Sequence, residues 1–305
     1  MGRDAVSGKP LPESFLPFTV WRCYSPTMRR RLPLLVIGPM LAACTGGDAV
    51  SWEDVRALHG AVDTAMVLGI GPDGGPVIAP APSGDSAVGG RTICPGSVIV
   101  TDDGAGGAFA AWWEERPSRS VVLLVARRSR DGERRWGLPV VADDRDRGTR
   151  GCDRPPVAIA ADGHRGHVHL AYFLEPGDGA GVYAGHSMED GSYFHGPVAI
   201  VYGDRPARTA VAVEGDVVVY AHEDPNSIRR RVALAISTTA GHLIEHRLAA
   251  SPPSVGASAP LVAVRGTRIA VAWTAAEGSD ASMPRAQVRI GAIPAVAARK
   301  DGGGA

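Results

Sequence analysis

The chain has 305 residues, which is enough for one large domain or two smaller ones with a real hydrophobic core. Its 32 Lys and Arg residues balance 32 Asp and Glu residues, so the net charge points to neither a nucleic acid nor another anionic partner. The 39 Gly and 24 Pro residues, with short apolar runs between them, predict β-structure with tight connections.

The most specific signal near the N-terminus is the run MRRRLPLLVIGPMLAACTGG from Met28 to Gly47. Three arginines precede an apolar stretch that is too short and too proline-rich to span a bilayer. The run ends in Leu-Ala-Ala-Cys at Cys44, which resembles the lipobox of bacterial lipoproteins. The resemblance implies a signal peptide over 28–43, acylation of Cys44, and an exported protein anchored to a bacterial membrane, periplasmic or at the cell surface. A secretory signal with a chance cysteine at its cleavage site is the alternative.

Two other cysteines form a candidate pair. Cys23 lies upstream of the signal and Cys44 belongs to the lipobox, which leaves Cys94 and Cys152. Because an even number of cysteines in an exported chain favours disulfides, we predict a bond between these two. Two unpaired buried thiols are the alternative.

Four segments look alike when they are stacked, and they follow one another at about 51 to 59 residues. Each has a short apolar strand, a Gly turn, and a second strand that ends in an aromatic residue and an acid. Apolar runs downstream of the first three segments predict a third and a fourth strand. A period near 50 with four strands per unit predicts an all-β fold, a β-propeller of four-stranded blades. The segments begin at Ser97, Pro156, Thr209 and Pro260.

Between the third and fourth predicted strands stand SRDGERRW, SMEDGSYF and STTAGHLI. These runs resemble the Asp box, Ser-x-Asp-x-Gly-x-x-Trp, of sialidase-like (BNR-repeat) propellers. A polar side chain there can hydrogen-bond its own turn, Gly supplies a positive φ, and the aromatic ring plugs the hairpin into the blade. We therefore interpret the three copies as structural. The matching residues are Ser129, Asp131 and Trp136, then Ser187, Glu189, Gly191 and Phe194, then Ser237 and Gly241.

The number of blades stays open between four and five. The last unit has no obvious fourth strand, and the apolar runs in 62–79 either complete it or form a degenerate fifth blade. Six blades are less expected, because only 261 residues (305 minus 44) follow Cys44. The predicted organisation is an upstream extension from a misassigned start codon (1–27), the signal peptide (28–43), a linker (44–60), the propeller (61–294) and a disordered tail (295–305).

Sialidases share an arginine cluster for the sialate carboxylate, a Tyr nucleophile helped by Glu, and an Asp acid/base. The nearest match here is an Asp-Arg-Pro triplet that precedes two predicted first strands, as Asp153-Arg154 and as Asp204-Arg205. Guanidinium groups near a central mouth could clamp a carboxylate, so these four residues are candidate ligand-binding residues. Local pairing of Asp with Arg is the alternative. No residue is assigned a catalytic role, because the Tyr220 and Glu223 pair repeats a pattern that the other blades share.

The run HRGHVH places His167 and His169 on one strand face, with His164 nearby. A metal cluster is one interpretation. A hairpin rich in surface histidines is the one we favour, so the sequence predicts neither a metal nor a cofactor.

The leading hypothesis is a membrane-anchored lipoprotein whose propeller binds a glycan or an envelope protein without catalysis. The alternative is an exo-acting, sialidase-like glycoside hydrolase with Arg154 and Arg205 as carboxylate ligands. A third possibility is a truncated gene product that folds only in part. Converging arginines beside a Tyr–Glu pair at the central mouth would favour the enzyme, whereas small or apolar groups would favour binding. No nucleic-acid partner is predicted, and the oligomeric state stays open.

Overall fold

The computed structural model describes residues 49–58, 62, 65–81, 92–128, 136–254, 256–276 and 285–294. Across these residues the protein is all-β, with nineteen strands in five antiparallel sheets. No helix in this part of the chain is long and apolar enough to cross a bilayer. The predictions for the upstream extension, the signal peptide, Cys44 and the tail lie outside the described residues.

The described part of the chain begins with two short strands and a hairpin. The short strands are β1 (Ser51–Trp52) and β2 (Arg56–Leu58). The hairpin consists of β3 (Met66–Ile70) and β4 (Pro76–Pro80), which form a two-stranded sheet that we name blade I. Residues 62–79 therefore supply a separate, degenerate blade and do not complete the last one.

Three four-stranded sheets follow, and their strand order follows the chain, as the repeats predict. Blade II contains β5 (Ile99–Asp102), β6 (Ala108–Glu115), β7 (Val121–Arg128) and β8 (Val140–Asp143). Blade III contains β9 (Ala158–Asp162), β10 (His167–Leu174), β11 (Gly181–Ser187) and β12 (Val198–Tyr202). Blade IV contains β13 (Thr209–Glu214), β14 (Val217–Glu223), β15 (Val232–Ser237) and β16 (His246–Ala249).

Blade V joins the two ends of the folded region. Its first three strands are β17 (Gly256–Arg265), β18 (Arg268–Ala276) and β19 (Arg285–Ala292). Both β1 and β2 pair with the free edge of β19. Trp52 lies opposite Gly291, and Arg56 opposite Val288. The segment 44–60, predicted as a linker, therefore contains the strands that the last unit lacks.

Residues of the innermost strands β3, β5, β9, β13 and β17 line one cavity. Hydrogen bonds join the end of each inner strand, or the turn after it, to that of a neighbouring inner strand. The four bonds are Gly163 N to Asp103 O (2.7 Å), Gly215 N to Asp162 Oδ2 (3.2 Å), Gly266 N to Glu214 Oε2 (2.7 Å) and Arg265 Nη1 to Ile70 O (3.2 Å). This arrangement is a five-bladed β-propeller. We call the side where the inner strands begin the start face and the side where they end the turn face.

The core lies between neighbouring blades. Apolar clusters are shared between blades II and III, III and IV, IV and V, and V and I. The middle strands of blades III, IV and V are therefore covered on both faces, and β10 is buried throughout. This explains why the apolar alternation in the sequence is imperfect. Between blades II and III, the fully buried Trp113 meets Tyr172 edge-on, with ring centres 5.8 Å apart. Burial of one such side chain stabilises the fold by about 1.5–3 kcal/mol.

Cys94 and Cys152 form a disulfide, with Cα atoms 5.2 Å apart. The bond ties the segment before blade II to the segment before blade III and spans 58 residues of chain. In the chain-entropy model, closing a loop of this length stabilises the folded state by about 4 kcal/mol.

Candidate functional site

The five inner strands enclose a central channel with a volume of about 510 Å³. Each inner strand pairs with one neighbour in its own sheet, so its other edge of backbone N–H and C=O groups faces the channel. The side chains along the wall are mostly small and aliphatic, such as Val100, Ala160, Ala210 and Ala263. The wall therefore combines backbone hydrogen-bonding groups with apolar patches.

Charged side chains stand only near the two ends of the described wall. Arg208 is exposed and lies on the start face, just before β13. Asp102 and Arg265 end their strands on the turn face. Asp102 is the one carboxylate among the described residues of the wall.

Arg154 is not a ligand-binding residue of the channel, so this prediction is wrong. Its side chain is fully buried, with Nη2 3.1 Å from Asp146 Oδ2 and 3.7 Å from Glu175 Oε2. The guanidinium also stands over the ring of Trp113, 5.4 Å from its centre. Burial lowers the pKa of Arg154, and the two carboxylates oppose that shift. The buried side chain is not accessible to a ligand in the channel, although its Nη1 has no hydrogen-bond partner among the described residues.

Asp146 makes this network a link between two blades. Its carboxylate also accepts the backbone N–H of Val121 at 2.9 Å and of Glu175 at 3.2 Å. Asp146 is fully buried, and its carboxylate has hydrogen-bond partners in both blades. These hydrogen bonds connect blades II and III.

The other three candidates, Asp153, Asp204 and Arg205, are exposed and do not line the channel. Arg205 Nη1 donates to the carbonyl oxygen of Ser227 at 2.7 Å. Asp153 lies beside Arg150 in a separate polar depression of about 310 Å³. The structure therefore does not bring the two triplets together around the channel.

Tyr220 and Glu223 are both buried. Burial raises the pKa of the Tyr220 hydroxyl. Glu223 accepts the backbone N–H of Ala259 at 3.0 Å and of Arg208 at 3.4 Å, which ties blade IV to blade V. These positions stabilise the ring and leave neither side chain open to a substrate.

The Asp-box turn of blade III is organised by its serine. Ser187 Oγ accepts the backbone N–H groups of Glu189 at 3.2 Å and Gly191 at 3.1 Å. Asp190 and Gly191 have positive φ values of 54° and 75°. Phe194, which stands at the aromatic position of the motif, is buried in the core between blades II and III.

The Asp-box turn of blade IV repeats this geometry. Ser237 Oγ accepts the N–H groups of Thr239 at 3.2 Å and Gly241 at 3.0 Å, and Ala240 and Gly241 have φ values of 52° and 84°. Ile244 packs against the core between blades III and IV. In blade II, Trp136 packs on that blade's apolar cluster, while Ser129 and Asp131 lie outside the described residues.

A group of histidines emerges that the sequence analysis missed. His167 and His169 are buried, not at the surface as favoured above. They lie beside His186, His195 and His242, of which the last two are half-buried and exposed. A signal was present, because a histidine flanks the second Asp box at each end, in HSMEDGSYFH.

Burial sets the charge of the inner histidines. Burial, with a smaller contribution from neighbouring imidazoles, lowers the pKa of His169 to about 3 and that of His186 to about 4. Both rings are therefore neutral at neutral pH. Neither ring nitrogen of His169 has a hydrogen-bond partner among the described residues, and neither has Nε2 of His186.

No family model matches this chain, and no curated protein matches it. Solved structures that resemble it include a sialidase, a GH43 endo-arabinanase and a protein of unknown function. A Hadza microbial sialidase, Hz136, is 15% identical over 58% of this chain, with a TM-score of 0.42. This chain spans 41% of that sialidase, less than half of its length.

Two further structures match more of this chain. The GH43 endo-arabinanase from Bacillus licheniformis is 10% identical, with 75% of this chain and 95% of that chain covered and a TM-score of 0.41. A protein of unknown function from Dyadobacter fermentans is 12% identical, with 81% and 100% covered and a TM-score of 0.42. At these low scores, the fold assignment rests on the strand pairing described above.

Proposed function

We propose that this protein is a non-catalytic binding module that holds a glycan at the start face of its central channel. One observation carries the proposal: the described channel wall is aliphatic and contains a single carboxylate, Asp102. Most glycoside hydrolases use a pair of carboxyl groups on either side of the scissile bond. The buried ion pairs of Arg154 also remove one member of the arginine cluster that a sialidase-like mechanism would need.

The chemistry of the wall suits a sugar. Backbone N–H and C=O groups along the strand edges can hydrogen-bond hydroxyl groups, and the aliphatic side chains can contact the C–H faces of a pyranose ring. The channel volume of about 510 Å³ falls within the range of small-molecule sites. Arg208, exposed where the wall opens, would contact the part of the glycan that stays outside. An envelope protein is the alternative ligand.

The first experiment is a glycan array probed with the full-length protein in detergent, followed by titration of the best ligand. We expect Arg208→Ala to weaken binding about tenfold or more, because a hydrogen bond from a charged group contributes about 1.5–3 kcal/mol. Arg205→Ala is the matched control, since Arg205 is exposed, precedes the same strand and does not line the channel. Equal losses in the two variants would contradict the proposal, and binding to an envelope protein in place of glycans would select the alternative.

The second experiment tests catalysis with fluorogenic sialoside and arabinofuranoside substrates. We expect no turnover above a heat-denatured sample. Turnover that Arg208→Ala abolishes and Arg205→Ala preserves would mean that the protein is a glycosidase and not a non-catalytic binding module.

We also propose that Cys44 carries a lipid anchor, on the strength of the lipobox resemblance. Cells expressing the full gene and fed a labelled fatty acid should incorporate label into the protein and retain it in the membrane fraction. Cys44→Ser should lose both properties, whereas Cys23→Ser should keep them. Label retained in Cys44→Ser would exclude this anchor.

A further inference from the structure

Three imidazoles from two neighbouring Asp-box hairpins meet near the turn face. His186 and His195 are cross-strand neighbours on either side of the Asp box of blade III, and His195 N donates to His186 O at 2.9 Å. His242 directly follows Gly241 in the Asp box of blade IV. The ring centres are 4.8 Å apart for His186 and His195, 4.9 Å for His186 and His242, and 6.3 Å for His195 and His242.

Both hairpins are fixed in place by backbone hydrogen bonds to turns on the same face. Asp190 N donates to Gly166 O at 2.8 Å, and Ala240 N donates to Asp216 O at 2.9 Å. Each bond joins an Asp-box turn to the turn between the first two strands of its blade. The three imidazoles are therefore held together by the fold, although they come from separate segments of the sequence.

The most buried of the three rings, that of His186, has a nitrogen atom without a hydrogen-bond partner in the described part of the chain. His186 is only 5% exposed, and its Nε2 has no hydrogen-bond partner among the described residues. Leaving a buried polar atom without a partner has an energetic cost. A ligand that accepts the lone pair of an imidazole nitrogen would offset this cost.

We propose that His186, His195 and His242 form a binding site for a zinc ion, with the solvent side open to a water molecule or another ligand. Imidazole is a preferred ligand of Zn²⁺, and sites with three protein ligands keep a fourth position open. His242 is exposed and His195 half-buried, so an ion can reach the site from solvent.

The ring centres are close enough for such a site, but the ligand nitrogen atoms of the three rings do not all lie within 4.8 Å of one another in this structure. A Zn–N bond of about 2.0–2.1 Å, with about 1.1 Å more to the ring centre, places ring centres about 5.2 Å apart at tetrahedral angles. Two of the three separations, 4.8 and 4.9 Å, lie close to that value, and the third is 6.3 Å. His186 and His195 are stacked with 17° between their planes, so their rings must rotate to point their nitrogens at one ion.

A group of donor atoms that already has metal-ligand spacing lies elsewhere in the part of the chain that the structure describes. There, the one group of three His, Cys, Asp or Glu ligand atoms already within 4.8 Å of one another belongs to Cys94, Glu115 and Cys152. The two cysteines of that group are bonded to each other.

The test is isothermal titration calorimetry of ZnCl₂ into untagged, full-length protein that has been treated with EDTA and dialysed. We expect one ion per chain, and about a tenfold or greater loss of affinity in His195→Gln and in His242→Gln. His164→Gln is the matched control, because His164 is an exposed histidine of blade III outside the group. The control should bind zinc as the unaltered protein does.

Co²⁺ provides a second readout. Three imidazoles and one solvent ligand should give the visible absorption bands of a tetrahedral cobalt site, and His242→Gln should remove them. Thermal melting in EDTA should be the same for all variants, because His195 and His242 lie at or near the surface. No saturable zinc binding, or equal loss of affinity in His164→Gln, would overturn the proposal.

Discussion

The same three residues, Asp-Arg-Pro, precede the innermost strands of blades III and IV, yet the two arginines meet different surroundings. Arg154 is buried against Asp146 and Glu175. Arg205 is exposed and donates to a single backbone carbonyl of Ser227. The difference shows that a local motif does not determine the environment of its charged residue, because the partners of Arg154 come from elsewhere in the chain.

The Asp boxes of the same two blades teach the opposite lesson. SMEDGSYF and STTAGHLI differ at the acidic position, yet both serines accept the same pair of N–H groups and both turns have two successive positive φ values. Here the interactions lie within five residues, so the local sequence is sufficient. Blades III and IV therefore offer matched positions at which the two kinds of motif can be compared.

The largest expected effect comes from removing the partner of Arg154. Asp146→Ala leaves a buried guanidinium without its closest carboxylate and should lower the free energy of unfolding by about 3–5 kcal/mol. Asp204→Ala, in the exposed triplet, should change it by less than about 0.5 kcal/mol. Urea unfolding followed by tryptophan fluorescence measures both. Similar values for the two variants would mean that the two arginines are equivalent after all.

The next largest effect is expected from a change of pH, because blade III has a buried histidine where blade IV has a valine. His169 is buried and neutral with its pKa lowered to about 3, whereas an unfolded histidine titrates near pH 6.5. Below pH 6.5 the unfolded state therefore binds a proton that the folded state does not, and stability falls by about 1.4 kcal/mol per pH unit, or about 2 kcal/mol by pH 5.

The strand registers supply the variant for this test. His169 lies three residues into β10 and Val219 three residues into β14, at matching positions of blades III and IV. His169→Val should therefore remove about 1.4 kcal/mol per pH unit from the dependence of stability on pH between 6.5 and 5, measured by thermal melting in EDTA. His186, whose pKa is lowered to about 4, should keep its own contribution to that dependence. An equally steep dependence in the variant would assign the effect to other groups.

Replacing the serine of either Asp box should lower stability by the same amount, and by less than the changes above. Ser187→Ala and Ser237→Ala each remove an acceptor for two backbone N–H groups in a turn, and each should cost about 1–2 kcal/mol. Equilibrium unfolding of the two single variants checks this. A difference of more than about 1 kcal/mol between them would show that the acidic residue of the motif contributes where it is present.

The smallest expected effect is that of Arg205→Ala. The exposed bond from Arg205 to Ser227 should contribute less than about 0.5 kcal/mol. Arg154→Ala, its counterpart in blade III, should cost several times as much because it leaves Asp146 buried without a cation. A large loss of stability in Arg205→Ala would mean that the exposed triplet stabilises the fold as the buried one does.

The twelve strands of blades II to IV were predictable because each hairpin is local and the pattern repeats. The strands β1 and β2 were not, because Trp52 pairs with Gly291, 239 residues later (291 minus 52). The short apolar run around Trp52 carries no signal of a partner so distant.

The candidate sites follow the same rule. The turn geometry around Ser187 and Ser237 could be expected from sequence, since its partners are near neighbours. The burial of Arg154 by Asp146 and the meeting of His242 with His186 depend on how separate segments pack, which no local pattern records.

The pairing of β1 with β19 also sets the order in which the protein can become complete. A chain that emerges N-terminus first presents Ser51–Trp52 before the other described strands, and the partner strand Arg285–Ala292 after all of them. Blades II to IV can form as they emerge, while the first strand waits for the last. Closure of the ring must therefore follow the appearance of β19, the last described strand, and until then β1 has no strand to pair with.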